Sequence, residues 1–464
     1  KFIKRRVLLF MKKYEMLPTE ENIIETLYND TINRNKDIVY FYNILQAQES
    51  ASAIAIDGRW GSGKTFFVKQ TQMVINALNP SSTIDEETKA KATVRLSFPK
   101  NDEEIENYSI AVYYDAWEND NDTEPVLSLI YEITKQLSTD FSLSDISIVK
   151  TAGAIIEAIS GHNVNGIKDA LTSEDPFTKF KEEKDVEQKI KDFFASILAE
   201  RGNRLVIFID ELDRCKPTFA VHLLEQIKHY IFDDRITFVF SINLEQLQHT
   251  IKHYYGADFD SCRYLDRFFD LRISMPPANM EKFYSEIGLE SRYYVDIVTK
   301  RIINMYNFEL REITRFYSQI KAAVYEPTHD SEKYDFMFPD GKGRQLILMY
   351  IIPLLIGLKI VDISKYDNFI SGRDIEPLKK LLDIDEDNRL LENMLNRDET
   401  FEKDDEKKLV TREEIIQRFY DAIFVKQYNG SKYNTVLGQY EFSKESRTFA
   451  LSAASMMSQF AELS

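Results

Sequence analysis

Cysteine is almost missing from this chain, with only Cys215 and Cys262 in 464 residues. Two thiols make neither a disulfide framework nor a zinc set, and such scarcity suits a reducing, cytoplasmic setting. Basic charge is in deficit too: 59 Lys and Arg stand against 76 Asp and Glu, a formal net charge of −17. That balance disfavours non-specific attraction to nucleic acid or anionic lipid and leaves room only for a local basic patch. The six histidines form no metal set; His249 and His253 stand one helical turn apart without a third ligand and read as surface residues. Long apolar runs are lacking as well. "LILMYIIPLLIGLKI" (346–360) falls short of the roughly 20 residues a membrane span needs and contains Pro353, so it reads as a buried helix. The opening "KFIKRRVLLFMKKYEM" has too short an apolar core for a signal peptide and no small-residue cleavage site behind it. Residues 1–23 read as an N-terminal extension, either a short surface helix or residues ahead of a start at Met11 or Met16. Neither a membrane nor a nucleic-acid partner is expected, and no nuclease, protease or deaminase motif is visible.

What the chain does have is a folded composition, 44% hydrophobic and 29% charged, and more length than one core uses. Its first chemical statement is "IAIDGRWGSGKTFFVKQ" (54–70). Gly58, Arg59, Trp60, Gly61, Ser62, Gly63, Lys64 and Thr65 fit G-x-x-x-x-G-K-[ST] without a mismatch. An apolar run of strand length, Ala51 to Asp57, precedes them, and a helical pattern, Thr65 to Leu78, follows. Glycines let successive N–H groups turn inward around phosphate oxygens, and the helix N-terminus, with Phe66 in its first turn, adds its positive end. Lys64 is placed to reach the β- and γ-phosphates of a nucleotide, and the Thr65 hydroxyl to ligate Mg²⁺.

Beyond that loop the pattern alternates. Glu20 to Gln48 is helical in period; "TVRLSF" (93–98) and "YSIAVYYDA" (108–116) read as strands. A helix from about Glu124 to Leu137 leads into a looser stretch, and a charged helix from Lys179 to Glu200 carries the chain to "RLVIFID" (204–210). Helix 219–232, strand 236–243, helix 244–255 and strand 268–275 complete the series. Strands alternating with helices predict a three-layer α/β core with a parallel sheet. The expected division is a core over 24–277 with a helical insert at 139–200, then a helical C-terminal region, 278–464, in which no β-rich run recurs.

"RLVIFIDELDRCKP" is the second decisive stretch. An apolar strand ending in Asp210 delivers a carboxylate to the sheet edge beside a phosphate loop, where it can hold Mg²⁺ directly or through water. Glu211 is suited to polarise the attacking water, and Asp213 is its rival for that role. The alternative for Asp210, Glu211, Asp213 and Arg214 is a capped, ion-paired turn. Asn243, at the tip of the next strand, either holds the water or simply caps the following helix. Arg267 either completes a neighbouring subunit's site as an arginine finger or pairs with Asp266 or Asp270. Arg311 and Arg315, one helical turn apart, either reach the phosphates from a helical lid or are surface charge.

Four blocks, "IDGRWGSGKTFFVKQ", "VYYDAWENDNDTEPVLSLIYEI" (112–133), the 204–231 stretch and "YLDRFFDLRISMPP" (264–277), together resemble the KAP family of P-loop NTPases, near the AAA+ and STAND ATPases. The resemblance covers roughly residues 24 to 325, and Trp60, Trp117 and the Asp-Glu-Leu-Asp-Arg-Cys run make it specific. It implies ATP and Mg²⁺ as cofactors, with Lys64, Thr65, Asp210 and Glu211 in the roles above. Trp60 then reads as packing the loop rather than stacking on a base. Animal members carry paired membrane spans between the two motifs; here the apolar patch Thr151 to Gly161 is about half a span, so the insert reads as helical. Many bacterial and plasmid members are linked to phage exclusion. The expectation is an ATP-driven switch acting on self-assembly, as a homo-oligomer, or on a protein partner; the alternative is a nucleotide-regulated binding protein with little turnover. Glu211 favours the first, because a switch without hydrolysis needs no catalytic carboxylate.

Overall fold

The computed structural model describes residues 17–96, 108–141, 155, 188–198, 202–230, 233–291, 293–324, 341–402, 409–427 and 434–455. The chain divides into two compact units, Met16–Phe283 and Tyr284–Ser464.

The first unit is built on a five-stranded sheet: β1 (Ser52–Asp57), β2 (Ser109–Asp115), β3 (Arg204–Asp210), β4 (Ile236–Ile242) and β5 (Leu271–Ser274). The strand order is β2-β3-β4-β1-β5, and every pairing is parallel. Successive residues of a strand face opposite sides, so apolar runs such as "LVIFI" must be covered on both faces. Leu205, Ile207 and Ile209 pack with helices Pro125–Asp140, Pro217–Tyr230 and Leu244–Tyr255. Val206 and Phe208 pack with helices Glu20–Asn29, Asn35–Gln46 and Lys64–Leu78 on the other side. Each fully buried side chain of this size contributes about 1.5–3 kcal/mol. The result is the three-layer α/β arrangement that alternation in the sequence predicts.

Local chemistry moved several boundaries. The helical period over 20–48 is two helices, because Asp30 (φ 49°) and Asn33 (φ 57°) adopt left-handed backbone, which short polar side chains tolerate best. The strand expected at 93–98 is corrected: Asp85 caps a helix, Glu86–Thr93, and Val94 and Leu96 follow in a turn. Leu96 packs on the core without joining the sheet, and residues 97 and 98 lie outside the described set. The charged helix of the insert is described only over 188–198; the rest of the expected insert, with the patch at 151–161, lies outside except for residues 139–141 and Ile155. The N-terminal extension is described only from residue 17.

The second unit is mainly helical around a central helix, Lys342–Val361. Ile347, Ile351, Leu354, Leu355 and Leu358 of that helix are buried, with Ile302, Phe316 and Tyr317 in the same core. Gly357 permits a close approach, since a Cβ there would meet Ile302 Cγ2 at 2.8 Å. The expectation that this stretch is too short to span a bilayer is corrected. The helix reaches 20 residues, long and apolar enough by length and composition to cross a membrane, because Lys342 to Gln345 extend it at the N-terminal end and Val361 at the other. Its backbone widens to a π turn over Ile347–Ile351 immediately before Pro353, and 67% of its apolar window is buried within the molecule. A second correction is a small antiparallel hairpin, β6 (Thr435–Leu437) with β7 (Tyr440–Phe442). Three-residue strands are too short to show a period, and their turn depends on Gly438 at φ 54°.

Candidate functional site

Parallel strands present all their carboxyl ends on one edge, and the sheet order decides what meets there. Strand β4 lies between β1 and β3, with Ser241 opposite both Ile56 and Asp210. The loop after β1 and the acidic run after β3 therefore flank one strand tip. Gly61 (φ 87°) and Gly63 (φ 90°) hold backbone conformations open to glycine, and Gly63 starts the helix Lys64–Leu78. A Cβ on Gly58 would meet Met275 Cβ at 2.9 Å and Ser62 Oγ at 3.0 Å. Lys64 is buried, and its ammonium donates to the carbonyls of Gly58 (2.6 Å) and Arg59 (3.1 Å). Burial lowers its pKa, opposed by the charges of Asp213, Asp210 and Glu211.

Asp210 is 1% exposed and ends β3. The Tyr113 hydroxyl donates to its Oδ2 at 3.0 Å and the Glu211 amide to its Oδ1 at 3.0 Å. Lys69 Nζ lies 4.4 Å over the Tyr113 ring, and Asp115 is the register partner of Asp210 on β2. Glu211 itself sits at φ 61°, a costly value for a residue with a side chain. Its pKa is pushed up to about 7, by burial first and then by Asp210, with Arg214 opposing. Arg214 approaches Glu211 Oε2 to 2.5 Å, yet that buried oxygen has no aligned hydrogen-bond donor. The contact is an ion pair and nothing more directional. Asp213 accepts from the Trp60 indole N–H at 2.5 Å; burial raises its pKa, and that hydrogen bond and Lys64 oppose the rise. Trp60 is 46% exposed, and with Trp117 it flanks the Arg214 guanidinium. Two hydroxyls, Ser62 Oγ and Ser241 Oγ, are buried at this edge without a hydrogen-bond partner among the described residues.

Sequence reasoning thus places Gly58 to Thr65, Asp210, Glu211 and Asp213 in one neighbourhood. Asn243 stands at its border, where its Oδ1 accepts from the Gln246 amide (3.3 Å) as the cap of helix Leu244–Tyr255. Phe66 follows Thr65 in the first turn of the loop helix and is half-buried. Arg267 lies elsewhere. It precedes β5, on the sheet edge opposite the phosphate loop, and is exposed. The ion pairs weighed as its alternative are taken, since Asp266 pairs with Arg272 and Asp270 Oδ2 accepts from the Ala53 amide (2.8 Å). Arg311 and Arg315 are exposed on helix Leu310–Val324 of the second unit.

Three contributors were missed. Arg34 donates to Ser62 O at 2.9 Å and to Pro276 O at 2.5 Å, tying the loop to the segment after β5. Nothing local signals that long-range contact. Tyr113 reads from sequence as core; its place two residues before the Asp115 turn was the available signal. The joint stacking of Trp60 and Trp117 on Arg214 was foreshadowed only by the chain having two tryptophans.

The residues present fit a nucleotide with its metal: a glycine-formed loop, a buried ammonium, orphaned hydroxyls and a buried strand-end carboxylate. Among the described residues no group of three or more His, Cys, Asp or Glu could hold a metal alone. A cation at this edge would draw ligands from the phosphates as well as from the protein, as a weakly caged Mg²⁺ does. Fold and edge together define a P-loop NTPase core. The chain belongs to the KAP family: the description "KAP family P-loop domain" matches residues 34–324. No curated protein matches the chain.

Proposed function

We propose that this chain is a Mg²⁺-dependent ATPase whose nucleotide state acts as a switch on its own assembly or on a protein partner. The observation that carries the reading is the single cluster of Lys64, Asp210, Glu211 and Asp213 at the carboxyl edge of the sheet. In it Lys64 leaves the Gly58 and Arg59 carbonyls for phosphate oxygens, and the backbone N–H groups from Gly61 to Phe66 cradle them. Thr65 and Asp210 hold the metal, which neutralises charge on the phosphate oxygens when bound. Tyr113 fixes the Asp210 carboxylate, and Glu211 polarises the attacking water, with Asp213 as its rival. Asn243 orients that water in addition to capping its helix. Arg267, on the sheet edge opposite its own loop, serves a neighbouring copy. The family resemblance extends the reading to bacterial defence against phage.

The Arg214 contact favours a second reading, in which turnover is slow and nucleotide binding alone regulates a partner. Glu211→Gln and Asp213→Asn separate the roles. Phosphate release lost with ATP still bound in Glu211→Gln supports Glu211 as the base. Release retained there and lost in Asp213→Asn transfers the role to Asp213. Release absent from the unmodified chain, with ATP bound, supports the second reading.

A further inference from the structure

We propose that Arg214 is a positioning residue that reads the terminal phosphate of a bound triphosphate and, by moving to it, releases Glu211 for the reaction. The proposal rests on the nucleotide reading above. Both tryptophans of the chain converge on this side chain, the guanidinium lying 5.7 Å from the Trp60 ring centre and 5.5 Å from that of Trp117. Trp60 belongs to the phosphate loop, Trp117 to the turn after β2, and Arg214 to the short helical turn Leu212–Arg214 after β3. Three segments separated in sequence are thus joined through one cation. Two indole faces hold a guanidinium plane while leaving its N–H groups free to choose an acceptor.

The present acceptor is a poor one. Glu211 Oε2 lies 2.5 Å from Arg214 but is not aligned as a hydrogen-bond acceptor, and Glu211 is held at φ 61°. A pair that is close, misaligned and on a costly backbone is readily exchanged for a better one. Phosphate oxygens match the guanidinium fork in geometry and carry more charge than one carboxylate oxygen. A terminal phosphate at the loop that carries Trp60 supplies such acceptors, whereas a diphosphate ends one phosphate short. The same Trp60 donates its indole N–H to Asp213, so movement of the loop tip and of the acidic turn is shared. A carboxylate no longer paired with a guanidinium is the better water-polarising group.

The two tryptophans make the test. Single-tryptophan chains, Trp60→Phe and Trp117→Phe, are titrated with Mg²⁺ and either the β,γ-imido analogue of ATP or ADP, following emission, while calorimetry records binding independently. The Trp117 reporter lies outside the phosphate loop. Its emission is expected to shift with the imido analogue and to stay unchanged with ADP. Arg214→Ala should abolish the shift while changing ADP affinity less than about threefold, and should lower kcat more than tenfold with little change in KM. Arg214→Lys, which keeps the charge without the planar fork, should also lose the shift. An equal Trp117 shift with ADP, or a triphosphate shift that survives Arg214→Ala, overturns the proposal. So does a lower Tm in Arg214→Ala with every property restored by Arg214→Lys, since charge alone then suffices. Binding without any triphosphate-specific shift overturns this proposal alone. Absence of calorimetric binding to the unmodified chain overturns the nucleotide reading first.

Discussion

Asp387, in the C-terminal unit, and Asp210, beside the phosphate loop, are both almost wholly buried, yet their surroundings treat a negative charge in opposite ways. Around Asp387 hydrogen-bond donors converge on both oxygens. Tyr294 and Tyr350 hydroxyls donate to its Oδ1 at 2.7 and 2.9 Å, and Arg301 donates to Oδ2 at 2.7 Å while also pairing with Glu386. The π turn that contains Tyr350 lies within the central helix. Around Asp210 further carboxylates are added instead. Asp115, Glu211 and Asp213 crowd it, burial raises the pKa of each of these three, and Glu211 keeps one buried oxygen without an aligned donor. A buried acid with donors on both oxygens and a guanidinium as partner is a structural joint. Four carboxylates gathered next to an ammonium and left-handed glycines, one of them with a buried oxygen that no donor meets, are arranged for a group brought from outside.

The contrast can be broken at either end. The largest effect is expected from Lys64→Ala, which should remove ATP binding in calorimetry, whereas Asp387→Asn should leave ATP affinity within about twofold. Retained binding in Lys64→Ala would dissolve the distinction between the two sites. Next comes Arg267→Ala. If this exposed arginine completes a neighbour's site, ATP turnover should fall by about 10³–10⁵ while ATP affinity holds, and mixing with Lys64→Ala chains should restore part of it. Specific activity independent of protein concentration, with a monomer in every nucleotide state, would contradict that. Asp387→Ala should destabilise the C-terminal unit by about 3–5 kcal/mol in denaturant unfolding, because it leaves the largely buried Arg301 with only the exposed Glu386 as its ion-pair partner. A cost below about 1 kcal/mol would make Asp387 something other than a joint. The smallest effect is Asn243→Ala. Loss of a helix cap alone costs about 0.5–2 kcal/mol with kcat unchanged, and a kcat loss beyond tenfold shows that Asn243 also orients the water.

The same division runs through what was legible in the sequence. Asp210 and the strand that carries it are written locally, as an apolar run with a charge at its end, and β3 begins and ends where that run does. The helix Leu244–Tyr255 is equally plain, being bounded by a capping Asn243 and by Gly256. The phosphate loop needs only eight consecutive residues. Arg34 and Tyr113 were not legible in the same way, because their value lies in partners far along the chain, Pro276 and Asp210. The stretch 93–98 misled because alternating Thr, Val, Arg and Leu imitates a strand, while the Asp85 cap upstream commits the backbone to a helix. In the C-terminal unit nearly everything of interest is long-range. Asp387 follows Asp385 and Glu386 in a run of acids, and only the folded chain shows Tyr294, Arg301 and Tyr350 gathered around it.

Phosphate release measured across a titration of ATP and Mg²⁺, for the unmodified chain beside Lys64→Ala and Glu211→Gln at equal concentration, tests the central claim most directly. The account predicts saturable, Mg²⁺-dependent release from the unmodified chain and none from either variant, with ATP still bound by Glu211→Gln alone. Release of equal size from all three, or no ATP bound by the unmodified chain, would contradict it.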